Sequence, residues 1–152
     1  MAKELQSAED LVAQVDTGGR DPVGLQSKLI LVTAFVWACY QLYIASNLPF
    51  FLTDVSGISV ILPSSEARRI HLAFAIFLAA MVFPLFKSSP KNTIPWYDWG
   101  LALLGIAVCF WAIIDKEAIS SRAGLPTTTD MVISGVGLLV LAISIYRSLG
   151  LP

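Results

Sequence analysis

The stretch Ile94–Ile114, IPWYDWGLALLGIAVCFWAII, decides the fold of this chain. It opens on a proline and a cluster of Trp96, Tyr97, Asp98 and Trp99, then runs without a charge as far as Asp115. Aromatic rings with polar tips settle at headgroup depth, so the cluster has the character of an interfacial belt. The apolar run behind it has the character of a membrane-spanning helix. Pro95 suits the first turn of that helix, and Asp98 puts a carboxylate near the positive end of its dipole.

The rest of the chain is of the same kind. Its 152 residues are 56% hydrophobic and only 14% charged, with a mean hydropathy of +0.73. Soluble domains carry about 25% charged residues, so composition alone indicates a membrane protein. The formal net charge is −1, and the few Lys and Arg are scattered, which gives no footprint for nucleic acid. Cys39 and Cys109 both fall in apolar runs and are read as small buried hydrophobes rather than a disulfide or redox pair. No secretory signal is expected, because the first residues carry Glu4, Glu9 and Asp10 rather than a basic head and a short apolar run.

Outward from the deciding stretch, four spans are predicted, at 29–48, 70–86, 99–114 and 131–146. The first has 20 residues without a charge, enough at about 1.5 Å per residue to cross the hydrocarbon layer. Phe50–Pro63 is apolar but broken by Asp54, Ser56 and Gly57, and is read as an interfacial or re-entrant segment. Ser64-Ser65-Glu66 has the form of a helix start with a serine cap. Ala75 and Ala79 permit close helix contact in the second span. Thr127–Asp130 offers several caps for the last helix. Ahead of the spans, residues 1–27 form a separate N-terminal segment. Leu5, Ala8, Val12 and Val15 share one helical face there, with the acids away from it. That amphipathic helix either docks on a protein partner or frays in solution. The predicted fold is therefore an all-α membrane protein, a four-helix transmembrane domain over 28–152 preceded by a short amphipathic helix. Lys3, Arg20, Lys28, Lys87, Lys91 and Arg147 outnumber the positive residues of the other two connections, which places both termini in the cytoplasm.

Chemistry within a bilayer shows itself as ionisable residues inside the spans. Here the span interiors lack them, which argues against a self-sufficient proton-coupled exporter. His71 is the only histidine, so neither a bis-histidine haem nor a histidine-rich metal site is expected. It is read as an interfacial or packed residue at a helix end. Arg68 and Arg69 are read as anchors that snorkel to lipid headgroups, or as contacts to an acidic partner or lipid. Asp98 is read as a helix-start residue rather than a catalytic acid. With no Ser/His/Asp set, phosphate loop or Cys-x-x-Cys motif, no enzyme activity and no cofactor are expected.

Three segments together resemble a known family: ARRIHLAF (67–74), IPWYDWGLALLG (94–105), and GLPTTTD (124–130) with the apolar helix that ends in YRSLGLP (146–152). They look like the small four-helix membrane region of tripartite ATP-independent periplasmic (TRAP) transporters of the TAXI subtype. The similarity covers roughly residues 28–152, and IPWYDW is its most specific part. The resemblance implies a separately encoded small (Q) subunit in the bacterial inner membrane. Such a subunit braces a large permease (M) subunit that imports organic acids on a sodium or proton gradient, delivered by a periplasmic binding protein. It implies no transport-site residues in this chain, because the family places them in the large subunit. Arg68, Arg69, His71, Trp96, Tyr97, Asp98 and Trp99 are then candidates for anchoring and for the interface. The other expectation is a small homo-oligomeric channel or transporter, which needs a polar stripe along one helix. Only isolated groups such as Gln41, Ser134 and Ser144 offer one.

Overall fold

A computed structural model describes residues 19–86 and 88–149. The predicted N-terminal amphipathic helix lies outside these residues. The described chain is all helical: α1 (Leu25–Ala45), α2 (Leu48–Ser56), α3 (Ser64–Val82), α4 (Trp96–Ile114), α5 (Lys116–Ser121) and α6 (Thr128–Leu149). Three helices are long and apolar enough to cross a membrane, over Leu25–Ala45, Trp96–Ile114 and Thr128–Ser148.

The architecture follows from α3 and α4, which share the most extensive helix contact. α1 packs on the other side of α3, and α6 lies against both α4 and α3. Small side chains bring the central pair together. Ala73, Ile76 and Ala80 of α3 are buried, as are Ala102 and Cys109 of α4. A Cβ on Gly105 would stand 3.3 Å from Val140 Cγ1 and closer still to Ile76 Cγ2, so only glycine fits at that contact. Ala75 and Ala79 are only half-buried. The close face of α3 is Ala73–Ile76–Ala80, turned away from the pair that spacing alone selects.

Helix ends are set by local chemistry. α3 stops at Val82 because Phe83 precedes Pro84, and a residue before proline is driven to extended backbone; Phe83 has φ −100° and ψ 128°. The predicted span to 86 is therefore cut short. At its start Pro63 precedes the first turn, and Ser64 makes no side-chain cap. Pro95 likewise stands just ahead of α4, its carbonyl accepting from Asp98 N at 3.1 Å. α2 closes on Gly57 in the left-handed region (φ 70°), where glycine costs no Cβ clash. α6 does carry its predicted cap. Thr127 Oγ1 accepts from Asp130 N at 3.2 Å while Asp130 Oδ2 accepts from Thr127 N at 2.9 Å, a reciprocal capping box.

The surface is apolar where a soluble protein is polar. α1 has no buried residue, and Leu31, Val32, Phe35 and Leu42 are all exposed. Leu103 and Phe110 of α4 and Val132, Leu138 and Ile145 of α6 face outward in the same way. Contiguous apolar surface on this scale is covered by lipid or by another protein.

Candidate functional site

The polar chemistry gathers at the two ends of the bundle. At one end α3 terminates and α4 begins. The last carbonyls of α3 are orphan acceptors at the negative end of its dipole, and the first turn of α4 is the positive end of another. Asp98, in that first turn, is completely buried. Arg20 Nη2 donates to its Oδ2 at 2.5 Å, and Arg147 Nη2 donates to its Oδ1 at 2.7 Å. All three side chains are without exposure.

Each arginine also serves the orphan carbonyls. Arg147 Nη2 donates to Ala80 O at 3.1 Å and to Phe83 O. Arg20 Nε donates to Pro90 O at 3.2 Å, and its backbone N–H to Val82 O at 2.7 Å. The segment after Arg20 continues along the connection, with Asp21 N bonded to Lys91 O and Val23 N to Asn92 O. One carboxylate thus fastens the segment before α1, the end of α3, the start of α4 and the end of α6. In the sequence Arg20 and Arg147 enter only as two of the positive residues that set the orientation. The signal that unites them is that Arg20, Asp98 and Arg147 are all predicted at the cytoplasmic side, and charges buried in apolar surroundings are paired.

The aromatic cluster divides around Asp98. Trp96 is 83% exposed. The Tyr97 hydroxyl lies 2.7 Å from Ser89 Oγ, and its ring meets Phe86 edge-on. Trp99 turns inward and meets Phe77 of α3 in a T-shaped pair at 6.2 Å. IPWYDW is thus not one belt but an outward ring, a buried acid and an inward ring.

The other candidates lie toward the opposite end. Arg69 is tied inward, its Nη1 donating to Ala112 O at 2.5 Å, so it satisfies a carbonyl at the end of α4. Arg68 is exposed. His71 falls in the second turn of α3, inside the helix and not at its end, and its Nδ1 contacts Trp37 Nε1 at 3.4 Å and the Gln41 amide. Arg68, His71 and Gln41 line an open groove of about 430 Å³ between α1 and α3. Nearby, Arg122 joins Asp115 at 2.6 Å and Asp130 at 2.8 Å, and these bonds, to Asp130 first, hold its guanidinium above the usual arginine range. Lys116 pairs with Glu66 at 2.5 Å, linking α5 to α3.

Comparison with family models, with curated proteins and with solved structures finds no match. Function therefore rests on the arrangement of residues. Among the described residues no cluster of His, Cys, Asp and Glu could hold a metal ion. Cys39 and Cys109 are both free thiols, the first exposed and the second buried. The arrangement offers ionic fastening at the bundle ends and apolar faces along its length.

Proposed function

We propose that this chain is the small membrane subunit of a TRAP-type secondary transporter of the TAXI subtype. In this reading it braces a large permease subunit for ion-gradient-driven import of organic acids. The observation that carries the proposal is α1, a helix of spanning length with no buried residue and apolar side chains exposed along its body. A helix so little engaged by its own chain is surface offered to a partner. The resemblance in ARRIHLAF, IPWYDW and GLPTTTD supplies the identity of that partner. The chain is a brace and not an enzyme. The large permease lies beside it in the bacterial inner membrane, lipid covers the remainder, and a periplasmic binding protein docks on the far side.

α3 is the fourth membrane-crossing helix of this reading. Its charges, Glu66, Arg68 and Arg69, all fall in its first six residues, and the apolar remainder runs beside α4 and α6. Both termini are cytoplasmic, which puts the Asp98 cluster on the cytoplasmic side. Residues 50–67 and the 116–126 connection then face the periplasm.

The test is co-purification from detergent of this chain, tagged, with its neighbouring gene products co-expressed. Recovery of a stoichiometric larger permease supports the subunit reading. A discrete homo-oligomer of this chain alone would sink it in favour of a small channel.

A further inference from the structure

The buried cluster holds two guanidinium groups and a single carboxylate. Arg20, Asp98 and Arg147 are without side-chain exposure, and among the described residues no second acid pairs with either arginine. Asp21, next to Arg20 in sequence, is exposed. Among the described residues one positive charge therefore has no acid to balance it, and buried charges persist only when paired. The hydrogen-bond inventory is short in the same sense. Arg147 Nη2 is shared among three acceptors, while Arg147 Nε, Arg147 Nη1 and Arg20 Nη1 are buried and have no partner among the described residues. Among the described residues, charge and donors both leave room for a further anionic acceptor.

We propose that this cluster is a binding site for a carboxylate from a partner membrane polypeptide, completing an array of two arginines and two acids. The donors are enclosed, so the occupant must be slim. An Asp or Glu side chain brings two acceptor oxygens on a narrow stem, whereas a phosphodiester brings its glycerol and acyl groups along. The guanidinium fork also matches the two oxygens of a carboxylate. Trp96, two residues before Asp98 and 83% exposed, adds an apolar ring for the same partner to cover. The site deepens the subunit reading by naming what the partner must present.

The full-length chain, purified alone in detergent, is melted in sodium formate and in sodium chloride of equal ionic strength. Formate raises the melting temperature above the chloride value in the wild type. The difference disappears in Arg20→Gln, which removes the surplus charge, and survives in Arg20→Lys, which keeps it. Arg20→Gln itself melts no lower than the wild type, opposite to the loss expected from breaking a satisfied pair. In co-expressing cells, a photo-crosslinker at position 96 captures a peptide containing Asp or Glu, and Arg20→Gln abolishes the capture. Several outcomes overturn the site: no formate-specific shift, a shift given by phosphatidylglycerol instead, or a captured peptide without an acid. A formate response that emerges only when Glu4, Glu9, Asp10 and Asp16 are changed to amides also overturns it, because the chain would then supply the second acid itself. The melting experiment contains no permease, so loss of the site and loss of the subunit reading are distinguishable.

Discussion

Asp98 joins two arginines distant in sequence, because its two oxygens are the ionic partners of both Arg20 and Arg147. Asp98→Asn removes that charge and leaves two guanidinium groups facing each other without water. Removing one member of a buried ionic group typically costs about 3–5 kcal/mol, and we expect a loss of that order in mixed-micelle denaturation. A variant within a few tenths of a kilocalorie of wild type would mean that the cluster is hydrated. Glycines give a paired test in which the sign differs. Gly105→Ala pushes a methyl into Ile76 and Val140, and overpacking of that kind costs about 1–3 kcal/mol. Gly100→Ala lies in the same helix with nothing within 4 Å, so relief of glycine's helix penalty should stabilise by up to about 1 kcal/mol. The same denaturation assay reads both.

At the scale of elements, helix ends carry the testable energetics. Thr127→Ala breaks the reciprocal cap of α6, and loss of such a cap costs about 1 kcal/mol. The fraying should appear as faster amide hydrogen exchange over residues 128–131, with no change in the middle of α6. The sequence made this cap legible because its signal is local, a Thr and an Asp three residues apart. The apolar runs of α1, α4 and α6 were legible for the same reason. What escaped the reading depends on partners distant in sequence. Arg20 and Arg147 are 78 and 49 residues from Asp98, and no spacing rule connects them. The close face of α3 was misplaced because Ala75–Ala79 and Ala73–Ile76–Ala80 satisfy helical periodicity equally well. Only the position of Gly105 on the neighbouring helix separates them. The stop at Val82 was readable from Phe83-Pro84, but the apolar residues beyond it extended the predicted span.

At the scale of the molecule, the helices are held with unequal strength. α3 and α4 form the centre through close-packed small residues, and α6 is fastened to them through Val140 and Arg147. α1 is held by rings and polar tips instead: Trp37 stacks on Phe74, the Tyr40 hydroxyl reaches Ala67 O at 3.1 Å, and Gln26 accepts from Ile94 N at 2.9 Å. Its remaining surface is apolar and outward. The residues that hold the bundle together and those left facing outward are therefore different, and the two tryptophans of IPWYDW allow them to be probed separately. Trp99 faces in, against Phe77, and Trp99→Ala forfeits at least the ring pair, about 0.5–1.5 kcal/mol. Trp96 faces out, so Trp96→Ala should leave the melting temperature of the isolated chain unchanged and, in the proposed subunit reading, reduce recovery of a co-expressed large permease. The double variant should insert normally yet show both defects. Equal recovery of the large subunit with wild type and Trp96→Ala would assign that exposed ring to lipid, and the interface would then have to be sought along α1.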